Sequence, residues 1–244
     1  MHLMKKPAIL VSSIIACFTF ISATSNKSAA KKEVNIVTTV KTETAENSSA
    51  ALFSELHLAE AGLNQSVFNS AMHGLHKLLS KGVVKNDGII TIVDFSQPSN
   101  QKRLYVVDLD KKQILFNTLV AHGKNSGGLW ANSFSNQASS FKSSPGFYVT
   151  EDTYVGHNGY SLKLDGQEKN INDNALNRSI VMHGAPYVGQ SAISSLGFLG
   201  RSWGCPAVPM SQHKAIINTI KGGTCLFIYS PDKGYQNNST ILNS

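Results

Sequence analysis

The sequence predicts a mainly β domain with some α, a mixed β sandwich or barrel preceded by two N-terminal helices. Three observations predict it. Residues 51–82 carry an apolar pattern of helical period. From residue 88 onward short β-branched runs replace that pattern. Long loops rich in Gly, Ser and Asn, notably 122–145 and 184–204, separate those runs, and loops of that length are more often functional than idle.

The first helix is expected over Ala51 to Ala61, ending near Gly62. The second runs from Gln65 to Ser80, with Val67, Phe68, Ala71, Met72, Leu75, Leu78 and Leu79 on one face and Gly82 as its stop. Strands are expected at Ile89–Val93, Arg103–Leu109 and Ile114–Ala121, the last two joined by a turn at Asp110-Lys-Lys-Gln113. Further strands are expected at Gly146–Thr150, Ser161–Leu164, Ser179–Met182 and Thr224–Tyr229. One more helix, Ser211 to Ile220, has Ser211 as its expected N-cap and Gly222-Gly223 as its end.

The N-terminus reads as a targeting segment. Lys5 and Lys6 precede an apolar run from Ala8 to Ile21, and Ser22-Ala23 follow, the layout of a secretory signal peptide over residues 1–23. The run is shorter than the roughly 20 apolar residues a membrane span needs. Ile14-Ile-Ala-Cys17 resembles a lipobox, but Phe18, Phe20 and Ile21 continue the apolar run past Cys17, so lipidation there is the lesser alternative. The protein is therefore expected in the periplasm or cell envelope, touching a membrane only through that segment or a lipid anchor. Residues 24–50, rich in Ser, Thr, Ala, Lys, Asn and Glu, read as a flexible linker. The domain is expected over 51–232, with 233–244 as a tail.

Of 244 residues, 41% are hydrophobic and 15% charged, an ordinary globular composition. The net charge of +7 falls to about +5 once Lys5 and Lys6 leave with the signal. The remaining basic residues are scattered without interleaved aromatics, which argues against a nucleic-acid partner. A mildly basic exported protein suits an anionic polymer outside the cytoplasm.

Two of the three cysteines, Cys205 and Cys225, lie beyond the signal. Export permits a Cys205–Cys225 disulfide. Their settings differ, however. Cys225 sits within the apolar run Cys-Leu-Phe-Ile, as an inert buried thiol would. Cys205 sits on a turn, Gly200-Arg-Ser-Trp-Gly-Cys-Pro206, where Gly204 leaves room for a substrate carbonyl and permits unusual backbone angles. Upstream, His183 closes an expected strand and opens into a long loop. A thiol beside an imidazole is the minimum equipment for acyl transfer, since the thiolate is the nucleophile. His122, in Val-Ala-His-Gly-Lys, has a similar setting.

The chain resembles the murein L,D-transpeptidase catalytic domains (YkuD-type), which pair a His-Gly with a downstream Ser-x-Gly-Cys turn. Here these are His183-Gly184 and Ser202-Trp203-Gly204-Cys205. Further matching text is Arg103-Leu-Tyr-Val-Val-Asp108, Val120-Ala-His-Gly-Lys-Asn-Ser126, Phe134-Ser-Asn136 and Ser143-Ser-Pro-Gly-Phe-Tyr-Val-Thr150. It continues with Ser161-Leu-Lys-Leu-Asp-Gly166, Ile180-Val-Met-His-Gly-Ala185, Gly200–Ala207 and Lys221-Gly-Gly-Thr224, together covering about residues 88–230 in collinear order. The resemblance implies a sandwich or barrel of the L,D-transpeptidase type, and peptidoglycan stem peptides as partner. It implies Cys205 as nucleophile, His183 as base and the Gly184 carbonyl as the group orienting the imidazole. Gly204 and Ser202 would form the oxyanion turn, and Arg201, Trp203, His122 and Tyr187 would contact substrate. No metal or cofactor is implied. Two departures stand out: Trp203 takes the place of a histidine found in many relatives, and Pro206-Ala207-Val208 follow the cysteine where many have an arginine.

Two other readings compete. A papain-like cysteine peptidase would place its histidine after the cysteine, and only His213 lies there, on a helix. A non-catalytic wall-binding domain would bridge Cys205 to Cys225.

Overall fold

The computed structural model describes residues 48–244. The signal segment 1–23 with Cys17, and linker residues 24–47, lie outside the described residues. Residues 48–50 are already helical, so the linker ends earlier than expected.

Eight strands form one sheet: β1 (Asn86–Asp94), β2 (Leu104–Asp108), β3 (Gln113–Thr118), β4 (Gly146–Gly156), β5 (Gly159–Gly166), β6 (Val181–Ala185), β7 (Ala207–Pro209) and β8 (Thr224–Tyr229). Their order across the sheet is β3-β2-β1-β8-β4-β5-β6-β7. Beyond β3 the chain turns back onto the far edge, where Ala121 bridges Ala207 and Gly123 bridges Ser202. The sheet is thus nearly closed, like a barrel, and neither end strand is left as a long bare edge.

Period-two alternation explains the packing. Ile90 and Ile92 of β1, Tyr105 and Val107 of β2, Phe147 and Val149 of β4, and Cys225 and Phe227 of β8 face an outer core. Val93, Leu104, Val106, Tyr148, Leu226 and Ile228, from the alternate positions, face an inner core with Leu162 and Met182.

The outer core is covered by helix. α1 (48–55) is shorter than expected, because His57 adopts a left-handed φ of 51° and the chain continues in turns to Gly62. α2 (Gln65–Ser80) matches the expected bounds, with Asn64 accepting from the Ser66 amide as its N-cap. α2 buries Val67, Phe68, Ala71, Met72, Leu75 and Leu78 against the sheet, at about 1.5–3 kcal/mol for each large apolar side chain.

The three later helices also depart from expectation. α3 (Gln190–Leu196) lies inside the expected loop 184–204 and buries none of its residues, so it has no apolar period to read. α4 (His213–Ile220) is capped at Gln212 without a side-chain bond, so Ser211 is not its cap. The expected tail is instead packed on the domain. α5 (Lys233–Asn238) buries Tyr235, and Ile241 beyond it is fully buried in the outer core.

Candidate active site

The cysteine turn is folded by serines. The Ser202 hydroxyl accepts from the Gly204 amide (3.1 Å) and donates to the Cys205 carbonyl (2.6 Å). Ser143 fastens the turn to the 122–145 loop: its hydroxyl donates to the Gly204 carbonyl and accepts from the Gly123 amide, each at 3.0 Å. Gly204 has φ +126°, and a Cβ there would stand 2.8 Å from the Lys142 carbonyl oxygen, so only glycine fits this position without strain.

From this turn the chain enters β7, which runs parallel to β6 with His183 opposite Ala207. Extending that register back by two residues sets Cys205 opposite Val181. There the Val181 amide donates to the Cys205 sulfur at 3.5 Å, and the thiol donates to the Ser179 carbonyl at 3.6 Å. Val181 and His183 are two apart on one strand, so their side chains share a face about 6.5 Å apart along it. Thiol and imidazole are therefore one side-chain step apart, with no direct hydrogen bond between them among the described residues.

Both groups are buried, Cys205 at 7% exposure and His183 at 4%. The His183 Nε2 lies 3.4 Å from the Tyr187 hydroxyl. Its Nδ1 is buried with no hydrogen-bond partner among the described residues, so the expected bond to the Gly184 carbonyl is not formed. Gly184 is instead the point where β6 passes the His213 ring; a Cβ there would stand 2.6 Å from it. Burial lowers the His183 pKa below the ordinary histidine value; the Val181 backbone opposes this, and His213 adds to it. Burial raises the Cys205 pKa, opposed by the Val181 amide and by the Arg178 guanidinium. The pair rests as neutral thiol and neutral imidazole.

A cleft of about 540 Å³ borders the same segment. Glu151, Asp152, Tyr154, Lys163 and Leu176 line it together with Ser179, Ile180 and Val181. Two of those residues, Ser179 and Val181, hold the Cys205 sulfur, so the cleft runs beside the groups that position it.

The model of the L,D-transpeptidase catalytic domain matches residues 59–229. The chain belongs to this family. Among solved structures it is similar to an L,D-transpeptidase from Mycobacterium smegmatis, at 10% identity and TM-score 0.38 over 59% of each chain. It is also similar to one from Stackebrandtia nassauensis, at 16% identity and TM-score 0.36 over 69% of this chain and 68% of that one. The chain thus spans 59% of the first of these structures. No curated protein sequence matches it.

Within this L,D-transpeptidase domain, the expected site residues fall into two groups. Cys205, His183, Gly184, Gly204 and Ser202 come together as described, and Tyr187 joins them through its hydroxyl, its pKa pushed up to about 12 by burial and by Cys205. The Gly204 amide, however, is taken by Ser202 and is not an open oxyanion donor. Trp203 is 73% exposed and tilts against Phe141 with ring centroids 5.6 Å apart. Arg201 lies over the Phe198 ring and donates to the Gly127 carbonyl at 3.0 Å.

His122 is a correction. It is 1% exposed, its Nδ1 accepts from Arg103 at 2.8 Å, and its Nε2–H donates to the Gly127 carbonyl at 3.2 Å. Both nitrogens are used, which leaves no atom for a substrate. The Cys205–Cys225 bridge is also excluded: both thiols are free. They face different cores, and β7 and β8 stand four strands apart by either route around the sheet. A disulfide needs Cα atoms within about 7 Å.

Sequence reasoning missed the parts played by Arg178 and Ser143. Arg178 lies five positions before His183, and Ser143 opens a stretch that matches the family text. Neither is adjacent in the chain to the cysteine. Among the described residues no group of His, Cys, Asp and Glu is placed to hold a metal.

Proposed function

We propose that this protein is an exported cysteine acyltransferase that acts on peptidoglycan stem peptides, as an L,D-transpeptidase, an L,D-carboxypeptidase or both. The observation that carries the reading is the placement of the Cys205 sulfur against the Val181 amide, with His183 one step along the same strand face. In this reading the substrate carbonyl joins the L-configured centre of the third stem residue to its terminal D-alanine. Cys205 attacks it while His183 takes the thiol proton. Collapse of the tetrahedral intermediate forms the thioester, and D-alanine leaves with the proton from the imidazolium. An amine of a neighbouring stem, or water, then opens the thioester and frees the thiol. The Cys205 amide supplies a hydrogen bond to the oxyanion.

Export rests on Lys5-Lys6, the apolar run from Ala8 to Ile21 and the small residues that follow. The chemistry is tested by mass spectrometry after incubation with a carbapenem, a class that the family resemblance implies can acylate the cysteine. The expected result is one adduct, mapped to Cys205, and D-alanine release from muropeptide tetrapeptides, both abolished by Cys205→Ala. Undiminished D-alanine release by that variant would sink the reading.

A further inference from the structure

We propose that the Arg178 guanidinium is the fixed positive charge that stabilises the Cys205 thiolate. This rests on the reading of Cys205 as nucleophile.

The geometry is specific. Arg178 is half-buried beneath the cysteine turn, and its Nη2 lies 3.4 Å from the point where a Gly204 Cβ would stand. Four hydrogen bonds hold the guanidinium in place. Nη1 donates to the Ser135 carbonyl (2.7 Å) and the Ser144 hydroxyl (2.5 Å); Nη2 donates to the Lys142 carbonyl (2.6 Å) and the Ser140 hydroxyl (3.2 Å). All four acceptors are neutral. Among the described residues no carboxylate comes within ion-pair distance of Arg178. A half-buried cation without a counter-ion is costly unless a negative charge appears nearby. A thiolate at Cys205 is such a charge, and the two groups interact electrostatically in both directions.

The chain layout supports the same role. Residues 178–183 place around Cys205, in order, this cation, the Ser179 carbonyl, the Val181 amide and the His183 imidazole. Arg201, nearer in sequence, is turned away to Gly127 and Phe198. The other titratable groups around the thiol and the guanidinium are His183, the Tyr187 and Tyr148 hydroxyls, the Lys142 ammonium, which donates to the Ser133 hydroxyl, and, along the cleft, Glu151, Asp152, Tyr154 and Lys163. The Tyr187 and Tyr148 phenols are pushed upward by burial, so they stay neutral through the working range. Arg178 acts through the nucleophile, as a positioning residue, and not by touching substrate.

The test reads the thiol itself. Iodoacetamide alkylation of Cys205, followed on its own peptide by mass spectrometry, is measured against pH for the full chain, Arg178→Gln and Arg178→Lys. Arg178→Gln is expected to react about tenfold more slowly at pH 8, with its inflection about one pH unit higher. That is the low end of the shift of about 1–3 pH units that a nearby opposite charge supplies. Arg178→Lys keeps the charge and is expected to fall nearer the unsubstituted protein. Equal profiles for all three, or a Lys variant as slow as Gln, would overturn the proposal in favour of a loop-holding role. A measurement free of folding effects is the nitrogen-15 side-chain resonance of Arg178 in the unsubstituted protein. It is expected to titrate with the alkylation inflection and to stop titrating in Cys205→Ser; a signal that never moves overturns the proposal. Loss of the carbapenem adduct with these profiles intact would instead sink the acyl-transfer reading alone.

Discussion

Cys205 and His183 are both held towards their uncharged forms, and for one reason: each is buried, and burial penalises the ionised state. A preformed thiolate–imidazolium pair is therefore disfavoured at rest, and in the proposed reaction the proton moves as the sulfur attacks. This has a measurable sign. The base must be neutral to act, and a histidine with a lowered pKa stays neutral to more acid pH. The acid limb of kcat/KM is expected below the ordinary histidine value of 6.5. A limb at or above that value, in a pH–rate profile on muropeptide substrate, would show that the imidazole is not so held. That Cys205 and His183 would lie near one another was legible in the sequence, because a glycine-flanked thiol and a His-Gly are local signals. His122 was misread for the same reason. Its own neighbourhood, Val-Ala-His-Gly-Lys, resembles that of His183, and the difference lies in Arg103, a partner remote in sequence that takes its Nδ1. Arg178 was invisible because its role exists only once two loops are folded against it.

Elements with a strong local period were legible, and those without one were not. α2 reads from its apolar face and most strands from their β-branched runs. β7 is three residues long and ends in Pro209, so it forms only because β6 and the chain after β3 supply partners. β4 extends to Gly156, beyond the expected Thr150, through residues that are half-buried or exposed. α5 is the most consequential omission. The buried Glu168 carboxylate accepts from the Phe147 amide, the Tyr235 hydroxyl and the Ser239 hydroxyl, so the C-terminal segment is fastened to the start of β4. Truncation after Ser230 removes two of those three donors and the buried Tyr235 and Ile241 side chains. At about 1.5–3 kcal/mol per large apolar side chain and about 1–3 kcal/mol for an under-satisfied buried group, the loss is expected to be about 5 kcal/mol. That corresponds to a fall of roughly 10–20 °C in Tm for a domain of this size. Thermal melting of the full and truncated chains checks it; Tm values within about 2 °C would mean that the segment is a tail after all.

The stability of the whole molecule against pH follows from its buried titratable groups. Arg103 is fully buried and donates to the Val120 and Gln97 carbonyls as well as to His122, which in turn holds Gly127. This chain of bonds ties the segment after β3 to the loop beneath the cysteine turn, and it requires a neutral His122. Burial, with Arg103 beside it, lowers the His122 pKa from 6.5 to about 4. Between those values the unfolded chain binds a proton that the folded chain refuses. Stability therefore rises with pH there: the contribution is complete above 6.5 and is lost as pH falls towards 4. Its size is roughly 3 kcal/mol. His183 adds with the same sign, while Glu168, whose carboxyl is raised by burial, works in the opposite direction above the ordinary carboxylate range. A single acid-denaturation curve mixes all three, so the decisive measurement is a difference. His122→Asn keeps an acceptor for Arg103 but cannot titrate. Urea unfolding of this variant across pH 4–6.5 is expected to show a slope flatter than the unsubstituted protein's by roughly 3 kcal/mol over the interval. Parallel curves would mean that His122 charges without cost, and that the buried arginine does not depend on it.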